Sequence, residues 1–361
     1  MSKVAFVKYG GLAAGGTEIF LQTLAVNLSN RNFEVDYFYC DSTPYIGSNW
    51  KHPDTDKFRK QYLEQSKVNL IKFNVKAKDL TSSIHKWVET DFWEKFSEDK
   101  YDLLISARAG HPEYPFIEIL NIPMINFVTL NAGVDNQKNI YKTVLISDWA
   151  AKQWVASGGD KNRLMIIPLI REFNYKASQF EKNTKKFTFG FHQRDNDEIF
   201  SEVPLLAYKK IMSENTEFII LGGSKKYSNQ AKGLKLTNFK QLKHTGDELR
   251  IHKFLSSLNV FSHGRNDGET FGLVFVEAMY HNLPIISHEA QNNAQIEVIG
   301  NAGKVFNRNN ILGYATEMFR LKNNKDYYSN KASSSRERYN IFYSLEVNLD
   351  KIINLIKQAI C

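Results

Sequence analysis

The sequence predicts an α/β protein with two Rossmann-like, doubly wound domains, each built on a parallel β-sheet, that face each other across a cleft. The chain has 361 residues, more than one typical hydrophobic core holds, so two domains are expected. Short, continuous apolar runs alternate with helical patterns, as in a parallel sheet covered on both faces. A polar stretch without periodicity separates these alternations into two sets.

The first set predicts an N-terminal domain over residues 1–172. Between its first two strands, Leu21, Leu24, Ala25 and Leu28 form one apolar face of a helix. This order of strand, helix and strand predicts a doubly wound sheet. The predicted strands of this domain are residues 4–7, 35–39, 69–73, 103–106, 124–128, 143–146 and 165–167.

The second set predicts a C-terminal domain over residues 187–338, after a linker at 173–186. In open α/β sheets, ligands bind at the carboxyl ends of the strands, so chemistry is expected in the cleft. Residues 339–361 contain a closing helix with Leu349, Ile352, Ile353 and Ile356 on one side. The predicted strands of this domain are residues 187–191, 217–221, 260–262, 284–287 and 303–306.

Composition and charge narrow the class of protein. The net charge is +8, but the lysines are mixed with acids and form no basic tail, which argues against a nucleic-acid partner. Only Cys40 and Cys361 are present, so no disulfide framework is expected and a reducing compartment is favoured. No run approaches the roughly 18 apolar residues that span a bilayer. We therefore expect a cytoplasmic protein.

One segment leaves membrane contact open. Residues 49–60 mix two aromatic residues with four cations, as a peripheral contact at the inner membrane surface does, although a solvated loop explains the pattern equally well. The residues concerned are Trp50, Lys51, Lys57, Phe58, Arg59 and Lys60.

A glycine-rich loop follows the first predicted strand. Gly10, Gly11, Gly15 and Gly16 precede the first helix, and Glu18 falls in its first turn. Glycines let the backbone approach a ligand, and a helix N-terminus offers N–H groups to anionic oxygens. The pattern is neither GxGxxG nor a P-loop, so by itself it predicts only a tight turn or a phosphate contact.

A pair of glutamates carries a stronger signal. Glu269 and Glu277, with seven residues between them, follow the strand at 260–262. Gly268 and Gly272 lie in the loop before a helix that starts near 271–273. A diphosphate is expected at the helix N-terminus. Glu277 lies inside the apolar run FGLVFVEAM, where a solvated charge is unexpected. The pair is therefore a candidate ligand site.

The segment GETFGLVFVEAMYHNLPIIS resembles the signature of the glycosyltransferase-4-type family of GT-B enzymes, whose hallmark is Glu, seven residues, Glu. Other segments resemble the family's landmarks in order, from GGTEIFLQTLAVNLSNRNFEVDYFY to the closing IFYSLEVNLDKIINLIKQAI. The resemblance implies a GT-B fold and transfer of a sugar from a UDP- or GDP-sugar to a hydroxyl of a glycan, lipid-linked or small-molecule acceptor. It further implies retention of anomeric configuration, with no metal and no other cofactor.

The resemblance also implies residue roles in the donor site. Glu277 would accept hydrogen bonds from the ribose hydroxyls, and Glu269 would lie beside the donor sugar as a catalytic residue. Thr270, Phe271 and Gly272 would offer backbone N–H groups to the sugar and the phosphates.

Further positions follow from the same resemblance. Arg194 would bind the diphosphate and stabilise the leaving group, and Gly15 and Gly16 would contact the phosphates from the other domain. Gly246, in the segment HTGDELR, is a further candidate for the donor site.

Two departures from the family pattern need substitutes. The usual lysine after the Arg194 position is missing, and Lys225 or Lys226 could supply its charge. Where the family often has a sugar-binding histidine, this chain has Ile105 and Ala107, with Arg108 and His111 nearby. The departures leave the donor sugar open.

Two other functions remain as alternatives. A catalytically weak or silent nucleotide- or sugar-binding relative would keep the fold and lose turnover. A nicotinamide-dependent oxidoreductase would need a GxGxxG turn, which neither domain has. The Asp195-Asn196-Asp197 run has the form of a metal-binding motif, but it lacks that motif's context and a polar loop is the favoured interpretation.

Overall fold

The structure is a computed structural model that describes residues 1–8, 10–40, 55–76, 89–108, 116–130, 133–135, 137–180 and 185–361. The side chains of Val75, Lys76, Glu89 and Arg108 are outside this description. The chain divides into two compact units: unit 1 is Met1–Glu172 with Leu345–Cys361, and unit 2 is Phe173–Ser344.

Unit 1 contains a seven-stranded parallel sheet in the order β3-β2-β1-β6-β7-β8-β9. Its elements are β1 (Lys3–Lys8), α1 (Gly16–Ser29), β2 (Glu34–Tyr39), α2 (Lys57–Glu64), β3 (Asn69–Lys72), β4 (Val75–Lys76), β5 (Glu89–Thr90), α3 (Phe92–Lys95), β6 (Leu103–Arg108), β7 (Met124–Val128), β8 (Ile140–Leu145), α4 (Asp148–Ala156) and β9 (Leu164–Ile166).

The apolar patterns of unit 1 explain its layers. Every residue of β7 is buried, as expected for a central strand covered on both faces. Leu21, Leu24, Ala25 and Leu28 of α1 are all fully buried, so the predicted helix face is confirmed. The sheet order places the carboxyl end of β1 between those of β2 and β6.

Unit 2 contains a six-stranded parallel sheet in the order β12-β11-β10-β13-β15-β17. Its elements are β10 (Phe187–Gln193), α5 (Val203–Ile211), β11 (Thr216–Gly222), α6 (Lys225–Gly233), β12 (Phe239–Leu242), α7 (Glu248–Ser257), β13 (Val260–Ser262), β14 (Gly268–Glu269), α8 (Leu273–Tyr280), β15 (Ile285–His288), β16 (Asn292–Asn293), α9 (Ala294–Ile299), β17 (Gly303–Phe306), α10 (Ile311–Asn323) and α11 (Lys325–Arg338).

The two parallel sheets confirm the predicted fold class. The edge strand β12, which pairs with β11, was not predicted. Two short pairings were not predicted either: β4 with β5, which is antiparallel, and β14 with β16, which is parallel. Strands of two residues have too few positions for an alternating pattern, so sequence periodicity cannot reveal them.

The segment predicted as a linker packs closely in unit 2. The ring of Phe173 stacks on that of Tyr280 with centroids 4.0 Å apart, and the rings of Tyr175 and Phe180 contact His252. These aromatic contacts explain why the segment belongs to unit 2 from Phe173 onward.

The end of the chain returns to unit 1. A π-helical turn, Tyr339–Tyr343, ends unit 2, and α12 (Leu345–Ile360) belongs to unit 1. The helix therefore begins after the predicted boundary at 339. Leu349, Ile352 and Ile356 are buried as predicted, while Ile353 is only half-buried.

Part of the predicted membrane segment is described. Residues 49–54, with Trp50 and Lys51, lie outside the described residues. Arg59 was expected at the surface, but it is only 2% exposed, and its Nε donates to Gln22 Oε1 at 2.6 Å. Arg59 is thus a buried structural residue of α2, because its guanidinium finds a partner on α1. Within the described part of the chain, no helix is long and apolar enough to cross a membrane.

Candidate functional site

The loop between β13 and α8 in unit 2 is shaped by two glycines in the left-handed region. Gly268 has φ of 74°, and a Cβ there would collide with the carbonyl oxygen of Asn292. Gly272 has φ of 86°, and a Cβ there would lie 2.6 Å from the ring of Phe275. A side chain at either position would strain the loop, so both glycines are required by the turn.

The loop leads directly into the N-terminus of α8. The helix begins at Leu273, and the N–H of Phe275 already donates to the carbonyl of Gly272 at 3.0 Å. The N–H groups of Leu273 and Val274 precede the hydrogen bonds of the helix and suit an anionic ligand. Thr270 and Phe271 are buried, and the Phe271 ring packs edge-on against Tyr343. Packing therefore fixes the loop before any ligand arrives.

Glu269 lies within a network of hydrogen bonds. Its N–H donates to Gln295 Oε1 at 3.2 Å, and its Oε1 accepts from Arg265 at 3.2 Å. The Nε2 of His263 lies 3.6 Å from the same oxygen. Burial would raise the pKa of Glu269, but Arg265 and His263 outweigh burial and hold this pKa at about 2. The carboxylate is therefore ionised throughout the neutral range.

The partners of Glu269 are themselves fixed. Arg265 also forms a bidentate pair with Asp267. Its Nε donates to Oδ1 at 2.6 Å and its Nη2 donates to Oδ2 at 2.8 Å. Burial lowers the pKa of His263, whose Nδ1 lies 3.2 Å from Ser287 Oγ. The guanidinium is thus the main positive charge beside Glu269.

Glu277 has a different environment. It is 4% exposed on α8, and its Oε2 lies 2.6 Å from Nε2 of His192, near the carboxyl end of β10. At this distance the imidazole and the carboxylate are in direct polar contact. The helix therefore brings the buried carboxylate against the edge of the sheet where ligands of α/β proteins bind.

The predicted diphosphate residues lie at the same edge of the sheet. Arg194 directly follows β10 and is exposed. Lys225 and Lys226 open α6, after the neighbouring strand β11, and are exposed; Lys226 Nζ donates to the carbonyl of Asp197 at 3.3 Å. Gly246 is half-buried in the loop between β12 and α7. The structure thus brings Arg194 and the two lysines to adjacent strand ends.

The glycine loop of unit 1 has its own geometry. Gly15 is the N-cap of α1 and Gly16 its first residue, while Glu18 falls in the first turn as predicted. A Cβ on Gly15 would collide with the Glu18 carboxylate, which pairs with Lys8 at 3.4 Å. Glycine at 15 therefore lets the carboxylate cover the start of the helix.

Arg108 and His111, the predicted substitutes for the family's sugar-binding histidine, fall outside the described side chains. Arg108 is the last residue of β6, but its side chain is outside the description, and His111 lies outside the described residues. Ile105 and Ala107 of the same strand are buried in the core.

Sequence reasoning missed His192, His263, Arg265 and Gln295. Three of them carry a local signal: His192 lies near the end of β10, and His263 and Arg265 follow β13. Polar residues at the carboxyl ends of parallel strands are candidates by position alone.

The polar run after β10 forms a turn. The N–H of Glu198 donates to Asn196 Oδ1 at 2.8 Å, which fits a polar loop. Over the described ranges, His, Cys, Asp and Glu side chains form no group of three or more that could hold a metal ion.

Two α/β units, each built on a parallel sheet, are the architecture of GT-B glycosyltransferases. Residues 174–359, more than half of the chain, match the family model described as glycosyl transferases group 1. The chain belongs to this family. Among curated proteins, no significant match to the chain is found.

Solved structures agree on the fold. HepE from Anabaena, in complex with UDP and glucose, is 14% identical, covers 99% of this chain and 100% of its own, and has a TM-score of 0.74. Sucrose-phosphate synthase from Thermosynechococcus elongatus is 12% identical, covers 99% of each chain, and has a TM-score of 0.69. WaaG, a glycosyltransferase involved in lipopolysaccharide biosynthesis, is 12% identical, covers 98% of this chain and 99% of its own, and has a TM-score of 0.67.

Proposed function

We propose that the protein transfers a sugar from a UDP- or GDP-sugar to a hydroxyl of a glycan, lipid-linked or small-molecule acceptor, with retention of configuration and without a metal. The observation that carries the proposal is the buried Glu277 carboxylate, held at the carboxyl edge of the sheet close to the start of α8. A UDP-sugar donor is further supported by the complexes of HepE with UDP and with UDP-glucose.

The nucleotide would bind through groups of unit 2. Glu277 accepts hydrogen bonds from the ribose hydroxyls, because charge-assisted bonds to a carboxylate are strong. The N–H groups at the start of α8 and the guanidinium of Arg194 bind the diphosphate. Lys225 or Lys226 adds positive charge from the neighbouring strand end.

The chemical step needs stabilisation of the leaving group. As the bond between the sugar's anomeric carbon and the phosphate oxygen breaks, negative charge grows on the diphosphate, where Arg194 and the helix N–H groups stabilise it. The acceptor oxygen bonds the anomeric carbon on the same face, and its proton passes to the departing phosphate oxygen. Glu269 is ionised, so it accepts hydrogen bonds from sugar hydroxyls and does not act as an acid.

The test is a screen of UDP- and GDP-sugars for binding and for release of the nucleoside diphosphate, with EDTA present. We expect at least one donor to be turned over slowly by hydrolysis, and NMR of the product to show the anomeric configuration of the donor. Donor binding without turnover, with every acceptor class tried, would favour the silent relative. Stabilisation by nicotinamide dinucleotides but by no nucleoside diphosphate would refute the proposal.

A further inference from the structure

We infer that His192 is a positioning residue, whose imidazole holds the Glu277 carboxylate in the orientation that receives the ribose hydroxyls. The inference rests on the proposed function, because it concerns how the same carboxylate binds a nucleotide. The pair joins two elements far apart in the sequence: His192 lies on β10 and Glu277 on α8.

The imidazole is held in place by packing. The ring of His192 meets the rings of Phe254 and Phe261 edge-on, with centroids 6.5 Å and 6.0 Å away. Its side chain is only 15% exposed, and that of Glu277 is 5% exposed. With little room to rotate, the ring keeps Nε2 beside Oε2 of Glu277, and the carboxylate plane is set by a rigid neighbour.

The contact leaves the carboxylate able to bind a ligand. A buried carboxylate needs a compensating polar group, and an imidazole at 2.6 Å from Oε2 supplies one. Each oxygen of an ionised carboxylate has two lone pairs and can accept from more than one donor. A ribose hydroxyl can therefore donate to this oxygen while His192 remains beside it.

The second glutamate shows that this arrangement is specific to Glu277. A histidine from the next strand, His263, lies 3.6 Å from Glu269, but there the guanidinium of Arg265 supplies the positive charge. Removing His192 should therefore disturb the orientation of the Glu277 carboxylate more than removing His263 disturbs that of the Glu269 carboxylate.

The experiment is a thermodynamic cycle between His192 and the ribose hydroxyls. Calorimetric titration measures the affinities of whichever of UDP and GDP binds more tightly, and of its 2′,3′-dideoxy counterpart, for the unmodified protein, His192→Phe and His192→Gln. We expect His192→Phe to weaken the ribonucleotide about tenfold and the dideoxynucleotide less than twofold. His192→Gln, whose amide can donate to Glu277, should return the ribonucleotide affinity to within threefold of the unmodified protein.

The matched control is His252→Phe. His252 is a buried histidine of unit 2, and its ring packs against those of Phe173 and Tyr280. The substitution should leave both affinities unchanged. If His192→Phe does not fold, His192→Asn, with a shorter amide, takes its place with the same expectation.

Two outcomes would overturn the inference alone. One is an equal loss for both nucleotides in His192→Phe, which would make the ring a packing residue. The other is an unchanged ribonucleotide affinity in His192→Phe while Glu277→Gln loses it. If the unmodified protein binds neither UDP nor GDP, the proposed function fails, and the inference fails with it.

Discussion

Glu269 and Glu277 lie at one edge of the same sheet, are both largely buried, and each faces a histidine from a strand end, yet their surroundings differ. Glu269 bonds to the Arg265 guanidinium, and its backbone is held by Gln295. Glu277 lies against the imidazole of His192. The difference indicates that Arg265, in the loop of Glu269 itself, balances the charge of that glutamate, whereas a histidine of β10 contacts the carboxylate of Glu277.

The largest effect should come from removing the cation beside Glu269. Arg265→Met leaves two carboxylates without their guanidinium, and breaking a buried pair costs roughly 3–5 kcal/mol. We expect a loss of about 3 kcal/mol in the free energy of unfolding, measured with urea. The exposed Arg250→Met is the control and should stay within about 0.5 kcal/mol of the unmodified protein. A loss below about 1 kcal/mol in Arg265→Met would mean that the network is not structural.

The low pKa of Glu269 predicts how the stability of the protein depends on pH. The pKa of Glu269 is about 2 in the folded protein, against an ordinary value of about 4.3 in the unfolded chain. A depressed pKa adds stability that is complete above the unfolded value and is lost as the pH falls through the folded value. The unmodified protein should therefore lose up to about 3 kcal/mol more than Glu269→Gln between about pH 5 and pH 2, as unfolding curves would show. Parallel curves for the two proteins would contradict the low pKa.

Substitution of Gly272 tests whether the turn that positions Glu269 is constrained. At Gly272, alanine would meet the Phe275 ring at 2.6 Å and the Glu269 Cγ at 3.3 Å in a left-handed backbone. We expect Gly272→Ala to cost about 2 kcal/mol in the free energy of unfolding. Gly233→Ala, where the added Cβ meets nothing within 4 Å, is the control and should be neutral or slightly stabilising. Equal behaviour of the two variants would show that the turn at Gly272 is not constrained.

The smallest effect concerns the diphosphate. Arg194 is exposed, so Arg194→Ala should leave stability unchanged and weaken UDP or GDP about tenfold, about 1.4 kcal/mol. The matching nucleoside monophosphate should lose less than threefold, because the guanidinium is proposed to bind the diphosphate. Lys225→Ala serves as a comparison and should lose less affinity for the diphosphate. Calorimetric titration measures the affinities of the unmodified protein and of both variants. An equal loss for mono- and diphosphate would remove Arg194 from the diphosphate site.

The sequence predicted features that depend on local patterns. The continuous apolar run of β7 and the apolar face of α1 have the periodicities of a buried strand and a packed helix, so the parallel sheets followed. Glu277 was identifiable because a charge inside an apolar helix is costly unless it has a partner. Which group that partner is depends on the fold.

The remaining features depend on contacts between distant residues. His192 reaches Glu277 only because β10 lies beside β13 in the sheet, and no local pattern encodes that neighbour. The burial of Arg59 likewise depends on Gln22 of another helix. A cation in a polar segment is predicted at the surface unless its partner is known.

The most direct test of the central claim is the melting temperature of Glu277→Gln with and without UDP and GDP. The matched control is Glu217→Gln, an equally buried carboxylate whose Oε2 lies 2.7 Å from Lys240 Nζ at the amino end of β11. At a ligand concentration one hundred times the dissociation constant, binding adds about 2.7 kcal/mol of stability. We predict a clear rise in melting temperature with nucleotide for the unmodified protein and Glu217→Gln, and none for Glu277→Gln. An undiminished rise in Glu277→Gln would contradict the assignment of Glu277 as the nucleotide anchor.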